Sequence, residues 1–220
     1  MKTSRDWLPT MTDLDWIERI SEAVHPALLA IERDALPDNV PILDRASGRV
    51  LAALASDRRR IVEVGTAIGY STLWMALAQP DGGTIVTIDP DRNRTARARV
   101  HWRLAGVAED RITVVNAPAL EAFRAREPAL EGPFDMAFID ALKPEYGGYF
   151  EAIAVRLEPG AIVVADNVLW GGRVSGARKS QPGDSSRELR AFCEHVLSDL
   201  RFSSTILPTG DGLLVAVHRG

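Results

Sequence analysis

Two apolar runs end in side chains able to do oxygen chemistry. Phe134–Ile139 leads into Asp140, Ala141, Leu142 and Lys143, and Ala161–Ala165 leads into Asp166, Asn167, Val168, Leu169 and Trp170. Two neighbouring carboxylates with no base between them repel and desolvate at a cost, unless a cation lies between. Two carboxylates and an amide oxygen form a hard, all-oxygen donor set suited to Mg²⁺, Ca²⁺ or Mn²⁺ and not to zinc. Asp140, Asp166 and Asn167 are therefore candidate metal ligands. The plainer alternative has Asp166 capping the segment that follows and Asp140 opening a turn. Lys143 completes the set as a candidate base, since a nearby dication and partial burial both favour a neutral amine. Arginine stays charged and cannot take a proton from a hydroxyl. The alternative for Lys143 is a solvated loop lysine.

A second site lies in Ile61–Ser71, where Gly65, Thr66 and Gly69 stand just past one predicted strand and just before a helix that carries Ser71. In doubly wound sheets, ligands bind at the carboxyl ends of the strands, and glycine lets backbone approach a ligand closely. The next strand ends in Asp89, an acid placed to take two ribose hydroxyls. The spacing Gly65-x-x-x-Gly69 is not the G-x-G-x-x-G of a nicotinamide dinucleotide site. Glu63, at the strand end, would also face a pyrophosphate with like charge. A positively charged amino-acid tail suits it better, which points to S-adenosylmethionine. For the glycines, a plain strand-to-helix turn is the competing explanation.

The elements that must hold these residues follow from periodicity. Ile61–Val64, Thr84–Ile88, Ile112–Val115, Phe134–Ile139 and Ala161–Ala165 are predicted as buried parallel strands. Between them, Tyr70–Gln79, Asp91–Ala105, Ala119–Arg126 and Tyr146–Leu157 have helical spacing. This alternation predicts a Rossmann-like, doubly wound α/β sheet. Residues 12–34, broken or restarted at Pro26, and 42–55 predict extra amino-terminal helices. After a helix near Ser185–Leu200, the runs Phe202–Leu207 and Leu213–His218 have hairpin spacing and predict an antiparallel finish. Gly171–Gly183 is the one long candidate for a mobile loop. A single domain is expected, with helices over 1–56 and the core over 57–220.

Composition narrows the classes. Hydrophobic residues at 46% and charged residues at 25% exclude wholesale disorder and fibrous repeats. A net charge of −4 excludes bulk nucleic-acid coating without excluding a local basic patch. Lys2, Lys143 and Lys179 are the only lysines, so 23 of the 26 cations are arginine, a bias against which Lys143 stands out. Cys193 is the only cysteine, which rules out an internal disulfide and a cysteine-based metal site. Its stripe with Leu189, Phe192, Val196 and Leu200 predicts buried packing. The first residues lack the apolar run of a signal peptide, and no stretch approaches a membrane span, so a soluble, cytoplasmic protein is expected.

Six ordered blocks from about residue 40 onward resemble one family. They are Val62–Ser71, Ile88-Asp89, Ala117–Leu120, Phe138–Lys143 with Tyr146, Asp166–Trp170 and Leu207–Gly212. Together they resemble the cation-dependent O-methyltransferases of the catechol and caffeoyl-coenzyme A type, particularly small bacterial members. The resemblance implies that Glu63, Gly65 and Ser71 hold the methionine part of S-adenosylmethionine, Asp89 its ribose and Ala119 the adenine edge. It also implies that Asp140, Asp166 and Asn167 ligate the cation and that Lys143 is the general base. The implied reaction is in-line methyl transfer to one hydroxyl of a small aromatic vicinal diol. A homodimer is implied as well, because the amino-terminal region shapes dimer contacts and the acceptor pocket in this family.

The chain departs from the family pattern at two positions. Leu142 stands where plant members carry an acid that meets the cofactor's amino group, so that role is either unfilled or passes to Asp140 or Glu63. Gly171 replaces an asparagine that touches the acceptor, so coenzyme A ester specificity does not carry over. Trp170 could wall an aromatic acceptor, and Arg173, Arg178 and Lys179 could give the following loop a positive character. Arg92, Arg94, Arg97, Arg99 and Arg103, with Arg58–Arg60, could instead form a patch for transfer RNA, whose hydroxyuridine some bacterial relatives methylate. The i+4 recurrence of Ala96, Val100 and Leu104 among them favours a solvated helix face. A non-catalytic S-adenosylmethionine binder is the remaining alternative, and the Asp140, Lys143, Asp166 and Asn167 set argues against it.

Overall fold

A computed structural model describes residues 9–220. Three helices come first: α1 (Met11–Ile20), α2 (Pro26–Ala35) and α3 (Arg45–Ala55). The alternating core follows as β1 (Arg60–Val64), α4 (Tyr70–Ala78), β2 (Thr84–Ile88), α5 (Arg92–Leu104), β3 (Ile112–Val115), α6 (Ala119–Arg124), β4 (Phe134–Ile139), α7 (Tyr146–Ala154) and β5 (Leu157–Ala165). Helix α8 (Ser186–Ser198) and the strands β6 (Phe202–Leu207) and β7 (Leu213–His218) complete the chain. No helix among the described residues is long and apolar enough to cross a membrane.

The seven strands lie in the order β3-β2-β1-β4-β5-β7-β6. Strands β1 to β5 pair in parallel, and β7 pairs antiparallel with both β5 and β6. Period-two alternation divides the buried strand residues between two layers. Val62, Val64, Ala137, Ile139, Val163 and Ala165 face a core with Tyr146, Phe150 and Phe192 from α7 and α8. Ile61, Met136, Phe138, Ile162 and Val164 face the other core, with Leu28, Ile31, Leu51 and Leu73 from α2, α3 and α4. Every residue of β4 is buried, as expected of a central parallel strand covered on both faces. The chain runs outward from β1 to β3 and then returns to β4 on the other flank of β1. That reversal opens a crevice between the carboxyl ends of β1 and β4.

Two expectations need correction. Strand β5 starts at Leu157, not Ala161: Leu157 pairs with Phe134, and the exposed Glu158-Pro159-Gly160 stretch shifts the register before pairing resumes at Ile162, leaving no apolar trace. On α5, Ala96, Val100 and Leu104 face solvent among the arginines, in keeping with a solvated face, and the buried face is Thr95, Ala98, His101 and Trp102. Cys193 packs with Leu189, Phe192 and Val196 as expected, but Leu200 lies past the helix end and is 86% exposed. Pro26 does restart the helix, occupying the first position of α2, where its missing N–H costs nothing.

Candidate functional site

Each strand of the central sheet continues its ladder one residue past its end, which fixes the site residues on one edge. Gly65 N–H bonds the Ile88 carbonyl (2.9 Å), Asp140 N–H bonds Val64 (2.9 Å), Asp89 N–H bonds Val115 (3.1 Å) and Asp166 N–H bonds Ile139 (3.1 Å). The glycine loop, Asp89 and both candidate metal carboxylates therefore share the crevice where the strand order reverses.

Asp166 is buried, and its Oδ1 has no hydrogen-bond partner among the described residues. Burial, reinforced by the neighbouring Asp140 charge, pushes its carboxyl up to about 7. Lys143 Nζ donates to Asp140 Oδ1 at 2.6 Å and to Tyr146 Oη at 2.8 Å. The fully buried Tyr146 in turn donates to the Asp166 carbonyl oxygen at 3.1 Å, joining the ends of β4 and β5. Half-buried Asn167 sits beside Asp166 in the left-handed region, with φ of +59°. A buried carboxylate oxygen without a partner, a second carboxylate and an amide oxygen fit a hard dication. The positive charge that Asp166 lacks is what such an ion brings.

The loop that carries these ligands rests on a brace that nothing in its own stretch of sequence announces. Asp211 Oδ1 accepts the Gly171 N–H at 2.6 Å, and the Asp211 carbonyl accepts the Leu169 N–H at 2.9 Å. Gly212 accepts from Val168 N–H, and a Cβ at Gly212 would lie 2.5 Å from the Leu169 side chain. The β6–β7 turn thus holds Asn167–Gly171 in shape, including the left-handed Trp170 (φ +50°). The same turn leans on Asp44, the residue capping α3, whose charge also pushes Asp166 upward.

The glycine loop is organised from beneath. Glu63 is fully buried and accepts hydrogen bonds from Ser71 Oγ (2.6 Å), Thr87 Oγ1 (2.6 Å) and Thr72 Oγ1. Burial outweighs those three donors and pushes its carboxyl up to about 7. Its oxygens are thus engaged by hydroxyls beneath the loop, which it braces from below. Thr66 likewise turns its hydroxyl inward, 2.6 Å from Thr87 Oγ1. Asp89 accepts the Ala67 N–H (2.8 Å) and the Asp91 N–H (2.8 Å), so it shapes the loop at the same edge. Asn116, at the end of β3, clamps the Asp89 carbonyl (3.0 Å) and Thr95 Oγ1 (2.9 Å). Ala119 opens α6 beside it and is buried.

The protein's own packing already demands glycine in this loop. A Cβ on Gly65, at φ +106°, would lie 1.9 Å from the Asp140 carbonyl oxygen. One on Gly69, at φ +81°, would lie 2.5 Å from Trp102 Nε1, which donates to the Gly69 carbonyl. Leu142 is 65% exposed and brings no polar atom to the position where plant members carry an acid.

Trp170 is half-buried, with Lys143 Nζ 5.9 Å from its ring centre. Four of the eight arginines considered for RNA are ion-paired: Arg97 with Asp34 and Asp38, Arg94 with Asp91, Arg103 with Glu109 and Arg58 with Asp57. Half of the basic set that a transfer RNA would need is thus neutralised. His195 lies with Glu151 and Asp199 on the surface, where Arg201 already bridges the two acids.

Comparison with known proteins gives a consistent result. The profile of a family described as O-methyltransferase matches residues 40–219. A catechol O-methyltransferase of Mycobacterium tuberculosis is 35% identical over 201 residues, covering 90% of this chain and 89% of the relative. One from Niastella koreensis is 34% identical, covering 71% and 72% respectively. The O-methyltransferase TomG from Streptomyces achromogenes, solved in complex with S-adenosylmethionine, superposes with a TM-score of 0.84 at 29% identity over all of both chains. A Bacillus cereus O-methyltransferase in complex with S-adenosylhomocysteine gives 0.82 at 28% identity, over 93% of this chain and 96% of that one. With a crevice of this make and likeness of this extent, the chain belongs to the O-methyltransferase family of S-adenosylmethionine-dependent enzymes.

Proposed function

We propose that the enzyme methylates one hydroxyl of a small aromatic vicinal diol, with a divalent cation held by Asp140, Asp166 and Asn167 and with Lys143 as general base. The observation that carries this reading is Lys143 Nζ lying 2.6 Å from one carboxylate of a pair whose other member has an unpartnered, buried oxygen. When bound, the cation supplies Lewis acidity toward an acceptor hydroxyl and neutralises the carboxylate pair. Lys143 receives the hydroxyl proton, and Asp140 and Tyr146 hold its amine in place for that task. The freed oxygen attacks the sulfonium methyl in line; the sulfur keeps the electron pair of the broken C–S bond and becomes a thioether. The chain's own contribution to rate is proximity, since the glycine loop and the β4–β5 edge meet in one crevice.

Asp140 has a second part. Its Oδ2 accepts no hydrogen bond among the described residues, and Glu63 is committed beneath the loop. Asp140 therefore takes the cofactor's amino group in place of the acid that Leu142 has displaced. Gly65, Gly69 and Ser71 shape the methionine end, Asp89 meets the ribose, Ala119 borders the adenine and Trp170 walls the acceptor ring.

The deciding test is label transfer from S-adenosylmethionine to catechol with and without chelator. Activity should vanish with chelator and return with Mg²⁺ or Mn²⁺, and indifference to chelator would sink the cation assignment. Lys143→Arg should retain S-adenosylmethionine binding, measured by calorimetry, while losing most turnover at neutral pH. Near-normal turnover would remove Lys143 as the base.

A further inference from the structure

The loop after Trp170 brings two guanidinium groups to one point. A Cβ built on Gly171 would meet Arg173 Nη1 at 3.2 Å and Arg178 Nη1 at 3.9 Å. The glycine thus lets both cations approach the backbone directly after Trp170, Arg173 more closely than a side chain there would ordinarily allow. Arg173 is held from behind: its Nη1 donates to the Trp170 carbonyl at 3.3 Å, and its Nε lies 3.7 Å from Asp184 Oδ2. Arg178 is exposed, and its guanidinium makes no ion pair or hydrogen bond among the described residues. It is an uncompensated cation in a chain that elsewhere pairs many of its arginines.

The position of this pair matters. Gly171 is fixed by its N–H bond to Asp211, and its chain neighbour Trp170 has its ring centre 5.9 Å from Lys143 Nζ. An acceptor ring lying along Trp170 with its two hydroxyls toward Asp140 and Asp166 would point an opposite substituent toward Gly171. We infer that Arg173 and Arg178 form an anion subsite, and that the preferred acceptor is an aromatic vicinal diol carrying a carboxylate on its ring or on a short side chain. This rests on the vicinal-diol reading of the site proposed above. A planar carboxylate suits the fork geometry of guanidinium, and charge-assisted hydrogen bonds of this kind are the stronger class. A side chain at 171 would crowd the Arg173 guanidinium, so the glycine and the two arginines belong to one device.

The test compares 3,4-dihydroxybenzoate with its methyl ester, by kcat/KM and by calorimetric binding with Mg²⁺ and S-adenosylhomocysteine present. The acid should be preferred by at least about tenfold in both measurements, the size expected of a charge-assisted contact. Arg178→Ala should collapse that ratio to about two, and Arg178→Lys should restore part of it, because a charge without the fork still attracts an anion. An ester that binds and reacts as well as the acid overturns the subsite. So does an Arg178→Ala variant that weakens acid and ester alike. A catechol coenzyme A thioester, which has phosphates and no free carboxylate, separates the sources of negative charge; preference for it over the acid overturns the assignment to carboxylate. Turnover of the neutral ester without acid preference defeats this inference alone, whereas turnover of none of these diols defeats the vicinal-diol reading and the subsite together.

Discussion

At the residue scale, the two buried carboxyl groups of the crevice are both pushed up by burial and by the Asp140 charge, and they differ in their partners. Asp166 lacks a partner for one oxygen among the described residues, whereas Glu63 has three hydroxyl donors and is pushed up in spite of them. Linkage gives the sign for Glu63. Its folded value of about 7 lies above the ordinary 4.5. Between those values the folded chain keeps a proton that the unfolded chain releases. Stability contributed by the neutral group is therefore present below pH 4.5, is lost as pH rises toward 7, and changes no further above it. Glu63→Gln places a neutral amide among the same hydroxyls and removes that dependence. The melting temperature of the unaltered protein, taken relative to Glu63→Gln, should fall by several degrees between pH 5 and pH 7.5. A difference that stays constant across the range would show that Glu63 ionises as an ordinary carboxylate. The arginine bias bears on Lys143 at this same scale. Among the described residues it is the one lysine whose amine meets a carboxylate, a tyrosine hydroxyl and a tryptophan ring within a single crevice.

At the scale of elements, the β6–β7 turn sets the geometry of a loop about forty residues earlier in the chain. Asp211 reaches Gly171 because the antiparallel return places β7 beside β5, so the turn after β6 arrives under the loop after β5. Asp211→Ala removes the acceptor of the Gly171 N–H and should loosen Asn167 without unfolding the sheet. The expected result is Mn²⁺ affinity weakened about tenfold by calorimetry, the scale typical when support behind metal ligands is removed. Asp211→Asn keeps a carbonyl acceptor and should bind nearly as the unaltered protein does. An alanine variant with unchanged Mn²⁺ affinity would reduce the turn to a plain connection. This brace also marks the limit of what the chain discloses before folding. Strands β1 to β4 and the final hairpin are legible within a residue, because buried strands are written as continuous Val and Ile runs bounded by turn residues. The carboxylates at their ends are legible for the same reason, since a polar residue closing an apolar run marks a strand terminus. Asp211 is not, because its partner is set by sheet order and not by local pattern. The reason for Gly65 is equally hidden: the atom that excludes a side chain there is the carbonyl of Asp140, on another strand. The buried face of α5 escapes the sequence pattern because it uses Thr95, His101 and Trp102, polar-tipped residues that a purely apolar periodicity passes over.

At the scale of the whole molecule, α1 is the one α-helix among the described residues that the fold does not bury. It has no buried residue, and it is attached through ion pairs, with Glu18 meeting Arg45 and Arg49 of α3. Arg45 also forks onto Glu32 of α2, which accepts from Tyr70 at the start of α4, so the attachment leads back to the glycine loop. Surface ion pairs of this kind contribute little to holding a helix in place. Yet α1 exposes Met11, Leu14, Trp16, Ile17 and Ile20, by 44–74% each. An amphipathic helix that keeps its apolar residues in water while only its charged side is tethered requires a further surface to cover them. We propose a second copy of the chain as that surface, as the family resemblance leads one to expect, because an isologous contact would cover both apolar faces at once. Light scattering after size exclusion should then give twice the chain mass. Trp16→Glu puts a charge at the centre of the exposed face without touching the α3 ion pairs, and it should shift the protein to a monomer that keeps its melting transition. If the unaltered protein runs as a monomer, or the variant remains dimeric, the apolar face of α1 is not the contact.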